Sequence, residues 1–242
     1  MSKEFEIVRE FETEASPEQV WDAITTGTAG WLWPLEYEPR EGGAAPFGGT
    51  VTAWDPPRRL TGRTEDVEGI SQQTMNQLDY VVEPREGGGS WVRYVHSGIL
   101  VEDWDNQYDG ANKHTDFYLH TLRQYLAHFS GRPAVFASAD APASSTAPDG
   151  LEAVSRGLGL PEGAAEGTTV HVDLPGAGPV EAVVDYRSAY FVGLRTDDAM
   201  YRIFGRNHFG APVGVSVHDF APGADADKNA EAWASRLAGL FS

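Results

Sequence analysis

Residues 104–129 read WDNQYDGANKHTDFYLHTLRQYLAHF, and the spacing of their apolar side chains predicts one long amphipathic helix. Members of one face recur at alternating steps of four and three, which places them on a single stripe of an α-helix. The stripe comprises Trp104, Tyr108, Ala111, Thr115, Tyr118, Leu122, Tyr125 and Phe129, with Leu119 and Leu126 beside it. We expect this helix to close the structural unit that precedes it.

The residues before this helix predict an opening strand, a short helix and an antiparallel meander. Phe5-Glu6-Ile7 alternates in the manner of a strand. Residues 16–19, SPEQ, combine a hydroxyl N-cap, proline at the first helical position and glutamine at the third, which is the layout of a capping box. Strands separated by glycine and proline turns are predicted at 35–40, 49–54, 59–64, 74–83 and 91–101. The predicted fold class is therefore α+β.

Composition narrows the classes of function. The chain has 18 Lys and Arg residues against 36 Asp and Glu, a formal net charge of -18, which repels phosphate backbones and anionic lipids. It has no cysteine, so disulfides, thiolate nucleophiles and cysteine metal sites are excluded. The first ten residues lack the apolar core of a signal peptide, and no apolar run approaches membrane-spanning length. We expect a soluble cytoplasmic protein that binds no nucleic acid and does not insert into membranes.

The second half of the chain repeats the order of the first in a shorter form. Residues 132–150 are rich in Ala, Ser and Pro, and we take them as a boundary between domains at 1–132 and 133–242. A helix is predicted at 151–158 and a closing amphipathic helix at 225–241. Between them, strands are predicted at 170–174, 180–186, 189–195, 200–209 and 213–220. This order predicts a degenerate internal repeat, the alternative being one enlarged domain whose second half extends the first sheet.

Three motifs carry a resemblance to a known family. SPEQVWDAIT at 16–25, FGGTVTAWDPPRRL at 47–60 and VRYVHSG at 92–98 occur in this order before the long helix. Together they resemble bacterial relatives of the heat-shock-protein-90 ATPase activator, within the START-like, polyketide-cyclase-like (SRPBCC) superfamily. The resemblance covers about residues 4 to 129 and implies the helix-grip fold, in which a curved antiparallel sheet wraps around a long helix and leaves a cavity.

The closing helix departs from that family at one position. The family commonly has Gly-Trp followed by Leu four and seven residues after the Trp, whereas this chain has His114-Thr115 before Leu119 and Leu122. Ala232-Trp233, with Leu237 and Leu240, matches the family pattern better. Thr115 in place of a large aromatic residue predicts a wider cavity in the first domain, with simple repacking as the alternative.

Alternation along two neighbouring predicted strands indicates which side chains face this cavity. If Asn76, Leu78 and Tyr80 share one face, the next strand places Tyr94 and His96 on the same side. Aromatic walls with a few polar anchors are typical of a ligand pocket, while the alternative is an ordinary aromatic core. The candidate ligand-binding residues are Trp21, Trp31, Trp33, Asn76, Leu78, Tyr80, Tyr94, His96, Tyr108, Thr115 and Leu119.

Metal and cofactor sites are not predicted. Asp116 and His120 lie four residues apart, on one face of the long helix, and His114 is close to them in the sequence. No third ligand follows at a spacing suitable for a metal site on that face. The glycine-rich segments at 42–49 and 85–89 do not join a strand to a helix in the manner of nucleotide-binding loops, so we interpret them as turns.

Three hypotheses for function follow. The leading one is non-catalytic binding of a small hydrophobic or aromatic ligand in the first domain, by a monomer or a homodimer. The second is a cyclase- or hydrolase-like enzyme that uses His96 as a general base beside Tyr94. The third is a co-chaperone-like module that binds another protein through its surface.

Overall fold

The computed structural model describes residues 2–65 and 73–242. The chain separates into two compact units, Met1–Gly131 and Arg132–Ser242. Each unit contains a six-stranded antiparallel sheet and helices, so the fold class is α+β, as predicted. In the part of the chain that the structure describes, no helix is long and apolar enough to cross a membrane.

In the sheet of the first unit, the first and the last strand of the chain segment pair with each other at one edge. Its strands occur in the spatial order β1-β6-β5-β4-β3-β2, so the first strand pairs with the last and a meander follows. The elements are β1 (Lys3–Thr13), α1 (Pro17–Ile24), β2 (Ala44–Ala45), β3 (Gly49–Asp55), β4 (Arg59–Glu65), β5 (Gln73–Pro84), β6 (Ser90–Leu100) and α2 (Trp104–His128).

The capping box predicted before α1 is confirmed. Ser16 Oγ accepts a hydrogen bond from the Gln19 backbone N–H, and Gln19 Oε1 accepts one from the Ser16 backbone N–H. This reciprocal pair satisfies two backbone donors that the start of a helix leaves free. The helix buries Val20, Trp21 and Ile24.

Helix α2 is confirmed as one long element, and an ion pair fastens it to the first strand. Arg9 Nε donates to Asp116 Oδ1 over 2.6 Å, and Arg9 Nη2 donates to Asn112 Oδ1 over 2.8 Å. One face of α2 is buried, including Thr115, Leu119 and Leu122. The strand and the helix are thereby held at a fixed position along each other.

The strand predicted at 35–40 is wrong, because these residues belong to no regular element. Trp33, Leu35 and Tyr37 are half-buried and alternate with exposed residues, which produces the period of a strand without a ladder of partners. The Leu35 backbone N–H donates to Thr28 Oγ1, and that of Glu38 donates to the Ala44 carbonyl. Between α1 and β3, the structure describes one strand, the short β2.

The second unit repeats the strand order of the first. Its sheet runs β7-β12-β11-β10-β9-β8, so here too the first strand pairs with the last before a meander. A helix follows the first strand and a longer helix follows the last. The elements are β7 (Val135–Asp140), α3 (Gly150–Gly157), β8 (Thr169–Leu174), β9 (Gly178–Arg187), β10 (Phe191–Arg195), β11 (Ala199–Phe204), β12 (Gly214–Asp219) and α4 (Ala226–Leu240).

The opening strand of the second unit was not predicted from the sequence. Strand β7 lies inside the Ala-, Ser- and Pro-rich segment that we interpreted as a boundary, and it pairs with β12 along its whole length. Its sequence, VFASAD, contains small residues of low strand propensity, and Ala137 is buried. The predicted strand at 200–209 is also too long, because β11 ends at Phe204 and a 3₁₀ turn occupies Arg206–Phe209.

A buried ion pair lies within the second sheet. Arg202 Nη1 donates to Asp185 Oδ1 over 2.6 Å, and Arg202 Nη2 donates to Asp185 Oδ2 over 3.0 Å, so the pairing is bidentate. Gly193 of β10 leaves room for it, because a Cβ atom at that position would collide with both side chains. The ion pair therefore requires glycine at position 193.

Candidate ligand-binding cavity

The first unit contains a cavity of about 240 Å³ between α2 and one face of the sheet. Strands β5 and β6 form one wall, α2 forms the opposite wall, and the segment after α1 closes a side. The lining residues are Trp31, Leu32, Trp33, Leu35, Phe47, Gln73, Asn76, Leu78, Tyr80, Tyr94, His96, Ala111, His114, Thr115, Tyr118 and Leu119.

The register of β5 and β6 assembles the sheet side of the cavity. Leu78 lies opposite His96, and Tyr80 lies opposite Tyr94. The Tyr80 and Tyr94 ring centroids are 5.0 Å apart, in a tilted arrangement. Because side chains alternate along a strand, Asn76 reaches the same face as Leu78 and Tyr80.

The structure brings nine of the candidate ligand-binding residues together and places two elsewhere. The residues that line the cavity are Trp31, Trp33, Asn76, Leu78, Tyr80, Tyr94, His96, Thr115 and Leu119. Trp21 packs edge-on against Trp54, with 5.0 Å between ring centroids. Tyr108 stacks on Trp104 at 4.9 Å and packs against the apolar cluster of Phe5, Ile7 and Leu100. Both rings therefore face neighbours outside the cavity.

Polar groups concentrate at one end of the cavity and form a hydrogen-bonded chain. Gln73 Nε2 lies 3.1 Å from the Met75 carbonyl oxygen and 3.0 Å from Asn76 Oδ1. His96 Nε2 lies 2.7 Å from the same Asn76 oxygen. Apart from Thr115 and His114 of α2, the remaining walls are apolar or aromatic, so this hydrogen-bonded group forms a polar end of the cavity.

The environment of this end keeps the ionisable side chains neutral. Burial lowers the pKa of His96 to about 4, because removal from water disfavours the charged imidazolium. Burial also raises the pKa of Tyr80 and of Tyr94 above the ordinary value for a phenol. Within residues 2–65 and 73–242, no Asp, Glu, Lys or Arg lines the cavity. Near neutral pH the side chains of His96, Tyr80 and Tyr94 are therefore uncharged.

Thr115 connects the helix wall to the sheet wall. The Thr115 side chain is buried, and it interacts with the Tyr94 side chain in a way that lowers the pKa of the phenol, against the larger effect of burial, which raises it. A threonine at this point occupies much less volume than a tryptophan would. The space that remains above it belongs to the cavity.

Sequence reasoning missed several lining residues, and some of them could have been found. Ala111 and Tyr118 lie four before and three after Thr115, so helical spacing places them beside it. His114 lies three after Ala111 and four before Tyr118, so the same spacing places it beside those two residues. Gln73 was missed because its role depends on Asn76, three residues away. The sequence indicates less clearly that Phe47 lines the cavity. It is 50% exposed at a φ of 60°, which a phenylalanine adopts rarely, and its ring lies 6.3 Å from that of Trp33.

The helix residues that suggested a metal have other partners. Asp116 pairs with Arg9, and His114 Nδ1 donates to the Gly110 carbonyl over 2.8 Å. Among the residues with described positions, no group of three or more His, Asp or Glu side chains could hold a metal ion.

The second unit differs at the corresponding place. Trp233 of α4 is buried in the core of this unit, with its ring 6.0 Å from that of Tyr201. A larger recess of about 610 Å³ lies nearby, because its lining includes Tyr201 and also Asn229 of α4, one turn before Trp233. Its lining also includes Asp197, Asp198 and Asp219. Several charged side chains line that recess, which distinguishes it from the aromatic cavity of the first unit.

Comparison with solved structures finds similar proteins. Protein MLL2253 from Mesorhizobium loti is 21% identical, and the alignment covers 52% of this chain and 98% of that protein with a TM-score of 0.43. The Aha1 dimer from Colwellia psychrerythraea is 18% identical over 50% of this chain and 96% of its own, with a TM-score of 0.39. DynU16, a protein from the dynemicin biosynthetic locus, is 14% identical over 98% of this chain and 95% of its own, with a TM-score of 0.43.

No protein-family model matches the chain, and no curated protein matches its sequence. Its structural neighbours include an Aha1 protein. Aha1 proteins are the family that the sequence motifs resemble.

Proposed function

We propose that residues 1–132 form a START-like helix-grip domain that binds a small, neutral, hydrophobic or aromatic molecule, without catalysis. We further propose that residues 133–242 form a shorter, degenerate copy of that domain. The observation that carries the binding function is the cavity of about 240 Å³ between α2 and the sheet. The shared strand order of the two sheets supports the internal copy.

The lining of the cavity favours an apolar ligand with few polar groups. Broad aromatic surfaces are provided by Trp31, Trp33, Tyr80, Tyr94 and Tyr118. The hydrogen-bonded side chains of Gln73, Asn76 and His96 lie at one end. Ligand sites in proteins commonly combine predominantly apolar walls with a small number of placed polar groups. The volume lies somewhat below the range of about 300–1,000 Å³ usual for drug-sized ligands, which favours a small molecule.

Charge also restricts the ligand. No Asp, Glu, Lys or Arg is among the described lining residues, and burial of an unpaired charge costs several kcal/mol at least. The chain as a whole has a net charge of -18, which repels anions from the surface. A neutral molecule meets neither penalty.

The geometry gives less support to catalysis by His96. The hydrogen-bond partner of its ring is the amide of Asn76, which is not titratable, and the Tyr94 ring centroid is 6.5 Å away. Since burial lowers the pKa of His96 to about 4, the ring is also a weak base near neutral pH. The co-chaperone-like hypothesis stays a prediction from the sequence.

Thermal unfolding with a panel of neutral apolar and aromatic molecules tests the proposal. A ligand present at one hundred times its dissociation constant adds about 2.7 kcal/mol to the free energy of unfolding, which raises the melting temperature measurably. Thr115→Trp should abolish the shift, because the indole would occupy the cavity. Ala127→Trp places the same side chain on an exposed position of the same helix and should leave the shift intact.

Thr115→Trp could overpack the helix against the sheet and reduce folding, at a cost of about 1–3 kcal/mol. Ala111→Leu fills part of the cavity with a smaller side chain and gives a second test. A panel without any shift in the wild-type protein, or equal shifts in wild type and both cavity-filling variants, would contradict the proposal.

A further inference from the structure

We propose that the recess of the second unit binds a small aliphatic amine that carries two or more ammonium groups. This binding site is separate from the cavity of the first unit and does not depend on it. Two carboxylates of the recess and a buried tyrosine hydroxyl that opens into it carry the inference.

The recess lies at one end of the second sheet, beside the first turn of α4. Its lining comes from the β8–β9 turn, the β10–β11 turn, the end of β12 and Asn229 of α4. The volume of about 610 Å³ falls within the range of about 300–1,000 Å³ usual for small-molecule sites. The recess therefore has room for a flexible organic ligand.

The charge of the lining favours a cation. It includes four carboxylates and one guanidinium, those of Glu181, Asp197, Asp198, Asp219 and Arg195. Two of the carboxylates have basic neighbours outside the recess, since Asp198 pairs with Arg132 and Glu181 Oε1 lies 3.2 Å from His171 Nε2. The other two carboxylates outnumber the guanidinium, and the net charge of the whole chain, -18, has the same sign.

Those two carboxylates belong to Asp197 and Asp219, which have no ion-pair partner among the residues that the structure describes. Asp219 is held in place by two other lining residues. Its Oδ1 accepts from the Ala221 backbone N–H over 2.9 Å, and its Oδ2 accepts from Asn229 Nδ2 over 2.9 Å. Each carboxylate oxygen can accept a further hydrogen bond, so Asp219 is already oriented to receive a charged donor.

Tyr201 gives an independent indication of a ligand. The residue is 6% exposed, and its hydroxyl has no hydrogen-bond partner in the described part of the chain. The hydroxyl is nevertheless not sealed from solvent, and because Tyr201 lines the recess, it opens there. Buried tyrosine hydroxyls usually have a partner in the protein, so this one is suited to contact a ligand.

The register of β11 and β12 brings Tyr201 and Asp219 together. Tyr201 lies opposite Val217 and Ala199 lies opposite Asp219, so Tyr201 and Asp219 are diagonal neighbours on one face of the sheet. Burial raises the pKa of Tyr201 to about 12, and the Asp219 carboxylate contributes to that rise. The phenol is therefore protonated near neutral pH. Its oxygen can accept a hydrogen bond from an ammonium group that also donates to Asp219.

A metal ion suits the recess less well than an amine. Within residues 2–65 and 73–242, no three His, Asp or Glu side chains are placed to hold a metal ion. The two carboxylates instead belong to separate elements, the β10–β11 turn and the end of β12. A flexible diamine has two cationic ends joined by methylene groups, and the lining provides apolar contacts for those groups at Val180 and Ala182.

Calorimetric titration of the full-length protein at about 0.15 M salt, which screens unspecific attraction, tests the inference. The probes are 1,4-diaminobutane, 1-aminobutane and 1,4-butanediol. The diamine should bind, and the monoamine should bind roughly tenfold more weakly because it lacks one charge-assisted hydrogen bond. The diol should not bind detectably. Mg²⁺ has the same charge as the diamine and should not displace it at equal concentration.

Variants assign the binding to the proposed groups. Asp219→Asn should weaken diamine binding roughly tenfold, and Tyr201→Phe should weaken it a few-fold. Asp197→Asn, in a turn, serves if Asp219→Asn does not fold. Glu162→Gln removes one charge at an exposed position outside the recess and should leave binding unchanged.

A diamine preference that the recess variants reduce and Glu162→Gln preserves supports the inference. It is overturned if the diamine does not bind, if the diol binds equally, or if Mg²⁺ displaces the diamine at equal concentration. Binding that survives both Asp219→Asn and Tyr201→Phe also overturns it. Thr115→Trp should not alter diamine binding, so this inference and the proposed function of the first unit stand or fail separately.

Discussion

Thr115 in the first unit and Trp233 in the second hold the same place in the leucine pattern of their closing helices. Leu119 and Leu122 follow Thr115 at steps of four and seven, as Leu237 and Leu240 follow Trp233. The sheets that face these helices have the same strand order. Yet Thr115 lines a cavity, whereas Trp233 is 1% exposed inside a packed core. One topology thus accommodates both arrangements.

The two units also differ in the solvent exposure of an arginine–aspartate ion pair within the sheet. In the first unit, Arg59 Nε donates to Asp79 Oδ1 over 3.1 Å, with the arginine more than half exposed. In the second unit, the Arg202–Asp185 pair is buried on both sides. Loss of one partner should therefore cost more stability in the second unit, because it leaves a charge buried without its counter-ion.

The largest effect is expected from opening the second core. Trp233→Thr should lower the free energy of unfolding by about 3–5 kcal/mol, because removal of a buried aromatic ring loses its transfer energy and leaves a void. Urea unfolding of the full chain measures it. Ala234→Thr, at the exposed next position, controls for the helix propensity of threonine. A loss below about 1 kcal/mol would show that Trp233 does not support this core as described.

Next in size is the contrast between the ion pairs. Asp185→Ala should destabilise the protein by about 3–5 kcal/mol, because it leaves the Arg202 charge buried without its carboxylate. Arg59→Ala, its control in the first unit, should cost less, because the Arg59 side chain is more than half exposed and the Asp79 carboxylate keeps the Thr61 hydroxyl as a donor. Urea unfolding of both variants compares them directly. Equal losses would mean that burial does not distinguish the pairs.

A smaller effect depends on pH and belongs to the first unit. His96 has a pKa of about 4 when folded and 6.5 as an ordinary histidine, so between these values the unfolded chain binds a proton that the folded chain does not. Stability should therefore fall as the pH decreases from 6.5 to 4, by at most about 1.4 kcal/mol per pH unit from this group. The measurement is the difference between wild type and His96→Phe over that range. Parallel pH profiles would contradict it.

Periodic patterns predicted much of this architecture. The four- and three-residue steps of 104–129 gave α2, the SPEQ segment gave the start of α1, and alternation placed Asn76, Tyr80 and His96 on one face. These signals are local, because each depends on residues within a few positions of one another.

The errors arise where tertiary contacts override the local pattern. Strand β7 consists largely of small residues and is stabilised by pairing with β12, about 80 residues away in the sequence. Trp21 and Tyr108 were expected in the cavity on the grounds of size and face, but Trp54 and Trp104 provide aromatic partners in other directions. The Gln73–Asn76–His96 chain needs the register between β5 and β6, which no single segment encodes.

Xenon pressurisation of protein crystals tests the central comparison most directly, because xenon enters apolar cavities and shows where they lie. We predict xenon density in the first unit, beside Thr115 and Tyr94, and none beside Trp233 in the second. In Thr115→Trp crystals the density in the first unit should disappear. Wild-type crystals without xenon in the first unit, or with xenon beside Trp233, would contradict the claim that this helix position decides which unit keeps a cavity.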